Sequence, residues 1–237
     1  QVGHPQHSDG VFAQLMRDHP EKAALTAQDW FRALLPRGDF AQVVKLAAQQ
    51  IIADPPNANV WIRALLFATQ QLHDDQPLRE LHANPAPAAV VWRQLVETEL
   101  LVRASRTREA RAALDRPWAA DGPAYNLIYR VLTLTALKDA ASAVALLDRN
   151  HDTLRDEIAY YMLRLDALAA AGVTREVMVT ADPLLRVRNQ PQITTFLCAH
   201  LIRHPDPTLF AALHTKVERE NMAFNSDTIG VWFSLLS

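Results

Sequence analysis

Ala- and Leu-rich stretches of helical character alternate along this chain with short breaks that carry Pro, Gly or Asp. Large aromatic residues recur among them: Trp30, Trp61, Trp92, Tyr125, Tyr160, Phe196 and Trp232 are spaced by 31, 31, 33, 35, 36 and 36 residues. That interval is the period of stacked helix-turn-helix units. The pattern predicts first helices near 24–36, 57–73, 87–105, 123–137, 153–171, 190–204 and 226–237, with partners near 40–53, 77–83, 107–115, 139–149, 174–187 and 207–222. Residues 1–10 have no apolar period and read as a loose tail before a short helix near 11–18, closed by Pro20. Thr26, Asp152 and Ser226 are placed to cap helices, and Gly172 to end one in a left-handed conformation.

A second periodicity supports the first. The segment Arg108 to Arg116 aligns with Ala141 to Arg149 at an offset of 33, with identities Ala110/Ala143, Ala112/Ala145, Leu114/Leu147, Asp115/Asp148 and Arg116/Arg149. The same offset relates Trp92 to Tyr125, so both helices of a hairpin repeat in register. Each hairpin exposes apolar surface on both sides and gains stability mainly by stacking on its neighbours. The expected organisation is a tail and leader helix over 1–23, then one repeat array over 24–237.

Composition agrees with an all-α fold, because 49% of residues are hydrophobic and only six are Gly. A formal net charge of -2 draws the chain toward neither nucleic acid nor an acidic membrane. Arg outnumbers Lys by 20 to 4, which suits recognition of anions and equally suits a coding bias. The one cysteine, Cys198, excludes an intrachain disulfide and leaves the periplasm and the cytoplasm of a bacterium equally open. No apolar run is long enough to span a membrane.

Chemistry is sparse. His200 and His204 share a helix face and could ligate a metal, but no third ligand follows, and partly exposed histidines near a helix end are the better account. The carboxylate pairs Asp74/Asp75, Glu97/Glu99 and Asp152/Asp156 read as solvated helix faces. Arg103, Arg106, Arg108 and Arg111 straddle a turn, where they could bind an anion or complement a helix dipole. No aromatic residues interleave with them, so a nucleic-acid partner is not expected. The dispersed glycines form no phosphate loop, and no metal or other cofactor is expected.

The turn Gly38-Asp39-Phe40 resembles the Gly-Asp-Tyr turn of the tetratricopeptide repeat family, Pro55 falls where that family places its terminal proline, and Trp61 matches its aromatic fourth position. The matches cover about one repeat. Elsewhere bulkier residues replace the family's small one, and Gly38 is not repeated in most later turns, so the chain is tetratricopeptide-like. The resemblance implies a right-handed α-α superhelix of about six hairpins plus a terminal helix. It also implies that first helices line a concave groove, with Asn59 and Ile62 around Trp61, Arg93 and Glu97 after Trp92, Asn126 and Arg130 after Tyr125, and Tyr161 and Arg164 after Tyr160 facing the ligand.

The resulting expectation is a non-catalytic protein-protein interaction scaffold whose groove holds a partner segment, a peptide or helix of some acidic character, within a larger bacterial assembly. An alternative comes from similar solenoids in the periplasmic part of outer-membrane exopolysaccharide exporters, which organise synthase, modifying enzymes or an anionic polysaccharide. The last segment, Ser226 to Ser237, is too apolar for a capping helix and reads as the start of a further repeat whose second helix is missing, as in a fragment of a longer protein or an end that a partner covers.

Overall fold

The computed structural model describes residues 5–118, 124–154, 157–188 and 190–220, together with 230, 232, 234 and 235. Among these residues every regular element is helical. The α-helices are α1 (Pro5–Asp18), α2 (Ala23–Leu34), α3 (Phe40–Ala53), α4 (Asn59–Leu72), α5 (Gln76–Ala83), α6 (Pro87–Arg103), α7 (Thr107–Asp115), α8 (Ala124–Ala136), α9 (Ala140–Arg149), α10 (Glu157–Ala170), α11 (Val177–Arg186), α12 (Pro191–Arg203) and α13 (Pro207–Glu220). These bounds lie within a few residues of the predicted ones. The largest departure is at the N-terminus, where α1 starts at Pro5 and takes in most of the expected tail. Proline is pre-set for the first position of a helix, and Asp9 draws this helix onto α2 by accepting from Trp30 Nε1 at 2.8 Å and Arg37 Nη2 at 2.6 Å.

Thr26 is not a cap: α2 begins at Ala23, and Thr26 lies within its first turn. Nor is Asp152 one: it lies inside the short 3-10 turn His151–Thr153, and the backbone is extended at Leu154 before α10 begins at Glu157, while Ser226 lies outside the described residues. Of the final predicted helix, Gly230, Trp232, Ser234 and Leu235 are described, and all four are helical.

What repeats most regularly is a turn. Gly38, His73, Ser105, Lys138 and Gly172 all have positive φ, between 51° and 71°, at intervals of 35, 32, 33 and 34 residues. At each, two backbone bonds close the preceding helix. Gly38 N and Asp39 N reach Leu35 O and Leu34 O, His73 N and Asp74 N reach Gln70 O and Thr69 O, and Ser105, Lys138 and Gly172 repeat the pattern. This pair of bonds is the Schellman motif, which satisfies carbonyls that a helix end leaves orphaned. Asp39 and Asp139 then cap the next helix, accepting from Gln42 N at 3.2 Å and Ser142 N at 3.4 Å.

The helices fall into two compact units, Gln1–Asn126 and Leu127–Ser237. In the first, α3 packs on α2 and α4, α5 on α4 and α6, and α6 on α7. Its core includes Leu46, Ile51, Leu65, Leu78, Leu95 and Trp92, whose Nε1 donates to Pro55 O at 3.1 Å. In the second, α10 packs between α9 and α11, and α13 packs against α11 and α12. Leu165, Leu184, Leu197, Cys198, Leu209 and Leu213 form its core, with Tyr161, Phe196 and Trp232 partly buried around them. Burial pushes the Cys198 thiol up to about 11, so it stays protonated and packs as a small apolar group.

Candidate functional site

In the second unit, α9, α10 and α11 enclose an open pocket of about 520 Å³ lined by Asp148, His151, Tyr160, Tyr161, Arg164, Glu176, Val179 and Thr180. The order of residues on α10 explains two of its walls. Tyr160 and Arg164 are four apart, so they share a helix face and meet the end of α9 together. Tyr160 is buried and its hydroxyl donates to Asp148 Oδ1 at 2.9 Å. Tyr161, the next residue, meets its ring edge-on at 5.2 Å, while His151 approaches Tyr160 from elsewhere at 4.4 Å. Edge-to-face contacts of this kind fix the ring planes.

Arg164 ties the floor together. Its Nε donates to Asp148 Oδ1 at 2.9 Å, Nη1 to Thr180 Oγ1 at 2.6 Å and Nη2 to Glu176 Oε2 at 2.8 Å. The guanidinium is held charged chiefly by the bond to Asp148, against the opposing effect of burial. Burial opposes ionisation of Asp148, but the hydrogen bonds from Arg164 and Tyr160 outweigh it and hold the carboxyl below its ordinary range. For Tyr160, burial and then the Asp148 carboxylate push the phenol up to about 12, so it remains a donor.

Of the residues expected to face a ligand, Tyr161 and Arg164 come together in this pocket. The others do not. Ile62 is wholly buried, closed to any ligand: Trp61, Ile62, Ala64, Leu65, Ala68 and Thr69 are all buried on α4, which packs on both α3 and α5 and so hides a wide face. Arg93 Nη2 donates to Asn84 O at 3.0 Å, and Glu97 pairs with Arg116 at 2.8 Å. Asn59 is half-buried, and its side-chain oxygen is shielded with no hydrogen-bond partner among the described residues. Asn126 is buried and reaches Val91 O at 3.4 Å, while Arg130 is half-buried on α8 and lies outside the pocket lining.

Sequence reasoning missed Asp148, His151, Glu176 and Thr180. One signal was present, since Asp148 belongs to the repeated Leu-Asp-Arg of the two aligned segments. Its pairing with a tyrosine and an arginine 12 and 16 residues on depends on how α9 packs against α10.

Two other polar clusters are committed to structure. In the first unit a smaller recess of about 380 Å³ is lined by Thr69, Gln70, His73, Asp75, Glu99, Val102 and Arg103. Arg103 fills its donors there with Glu99 Oε1 at 2.7 Å, Asp75 Oδ1 at 2.8 Å, Thr69 Oγ1 at 3.0 Å and Leu66 O at 2.7 Å. The basic cluster is thus divided: Arg103 is an internal tie, and Arg106 pairs with Glu109. Nor is His200 partly exposed as expected. It is buried, with Nδ1 2.6 Å from Asp166 Oδ1, and Arg203 Nη2 lies 3.2 Å from both oxygens of that carboxylate. Burial opposes ionisation of Asp166, but His200 and Arg203 together hold it below its ordinary range. Among the described residues no three or more His, Cys, Asp or Glu side chains converge to hold a metal, and no helix is long and apolar enough to cross a membrane.

Compared with protein-family models, curated proteins and solved structures, the chain shows no match to any of them.

Proposed function

We propose that this chain is a non-catalytic interaction scaffold, built from tetratricopeptide-like hairpins stacked as a right-handed solenoid, that holds a segment of a partner protein. The observation that carries the reading is that Tyr161 and Arg164, which the tetratricopeptide resemblance implies for the ligand side, both line an open pocket. The regular recurrence of the left-handed turn supports the repeat itself, because each turn sets the same reversal between successive helices.

A photo-cross-linking residue at Val179, which lines the pocket and is 74% exposed, tests the binding role. The same residue at exposed Leu25, on α2, is the control. A discrete protein adduct at Val179 and none at Leu25 is the expected result. Equal labelling at both positions, or none at either, would sink the reading. Small-angle scattering tests the stacking separately: a solenoid has a radius of gyration above the roughly 18 Å of a compact domain of this length.

A further inference from the structure

The pocket that should receive an acidic partner, judged by Arg164, has the opposite electrostatics. Each of the three nitrogens of the Arg164 guanidinium donates inward, to Asp148, Thr180 or Glu176. Its side chain is only 16% exposed, whereas the Asp148 and Glu176 side chains are 45% and 40% exposed. A ligand entering from solvent therefore meets carboxylates before it meets the guanidinium. One arginine against two carboxylates leaves a negative charge uncompensated when His151 is neutral. Unused acceptor capacity points the same way. Asp148 Oδ2 takes only a long 3.5 Å contact from Arg164, and a carboxylate oxygen can accept more than one bond, which leaves capacity on Glu176 as well. Pro183 within α11 has no N–H to give the carbonyl of Val179 four residues earlier, which leaves a further acceptor on the same stretch of helix. Tyr161 supplies an aromatic surface beside these acceptors.

We propose that this pocket is a receptor for a basic side chain, the guanidinium or ammonium of an Arg or Lys presented by the partner protein. The proposal rests on the scaffold reading for its protein partner, and it reverses the charge expected of that partner. Carboxylates give charge-assisted hydrogen bonds to such a head group, and an aromatic ring lies beside its alkyl stem and positive charge. An acidic ligand would face the rim carboxylates first, with the Arg164 charge already shared between two of them.

The test is nuclear magnetic resonance titration of the whole 237-residue chain, following the Tyr161 ring and the Arg164 Nε–H. The probes are blocked tetrapeptides that differ in one residue, Arg, Lys, citrulline or Glu, and a neutral oligosaccharide. Arg and Lys peptides should shift both signals, with the citrulline peptide about five-fold weaker. Glu176→Gln should weaken the Arg peptide by a similar factor, and Tyr161→Leu should weaken it further, with circular dichroism confirming that both remain helical. Binding of citrulline equal to that of Arg would overturn the proposal, as would shifts caused by the Glu peptide or the oligosaccharide but not by the cations. An adduct at Val179 without any response to cationic peptides would remove the charge inference and leave the scaffold. Cation binding without any adduct would do the reverse.

Discussion

Two arginines on first helices, Arg103 of α6 and Arg164 of α10, are built into nearly the same knot. Each is 15–16% exposed, and each binds two carboxylates and a threonine hydroxyl. Around Arg103 the carboxylates are themselves well covered, at 32% for Asp75 and 18% for Glu99, and a fourth bond goes to the Leu66 carbonyl. Around Arg164 the carboxylates are half exposed, and Tyr160, Tyr161 and His151 stand beside them. The lesson is that the charged groups alone do not distinguish a staple from a receptor. The exposure of the anions and the presence of an aromatic wall make the difference.

That contrast can be broken by mutation, beginning with its hydrophobic ceiling. Trp92→Ala, at a residue with no exposed surface in the same unit as the Arg103 knot, should cost about 3–5 kcal/mol in chemical denaturation. Arg103→Met comes next, at about 2–3 kcal/mol, because it takes the cation away from Glu99 and Asp75 in a recess that covers both. Arg164→Met should cost only about 1 kcal/mol, since its carboxylates can return to water. Equal losses for the two arginine variants would erase the distinction between staple and receptor.

Acid sharpens the comparison further. Asp148 has a lowered pKa in the folded protein, so its contribution to stability is complete above the unfolded value of about 3.9 and is lost as pH falls through the folded one. Asp148→Asn should therefore narrow the stability difference between pH 7 and pH 3, which denaturation midpoints at the two values would show. An unchanged difference would mean that the Asp148 pair contributes nothing to folding. The smallest expected effect is at the turns. Ser105→Gly and Lys138→Gly should each stabilise by up to about 1 kcal/mol, because both residues carry the cost of a left-handed backbone that glycine does not. Thermal midpoints that fall instead would show that these side chains do more than occupy the turn.

How much of this was legible beforehand differs by level. The helices were readable because helix formation rests on local periodicity, alanine content and proline stops, all of which stand in the sequence. Gly38 and Gly172 stood at turns as residues suited to a left-handed backbone, but the same conformation at His73, Ser105 and Lys138, between helices the pattern had already separated, was hidden, because these residues give no compositional warning of it. At the candidate site, the position after the aromatic anchor pointed to Tyr161 and Arg164, which line the pocket. Ile62, which follows Trp61 as Tyr161 follows Tyr160, is core, because the same helical position is wholly buried on α4 and reaches an open pocket on α10.

By itself, the sequence determined the all-helical class and the approximate bounds of the helices, since each depends on residues within a few positions of one another. Only the tertiary structure decided that Arg164 is neutralised by Asp148 and Glu176, that His200 is buried against Asp166, and that Ile62 is closed to a ligand. Those outcomes depend on which helix faces meet and which charges share a desolvated space, and burial and pairing between distant residues leave no periodic trace in the chain.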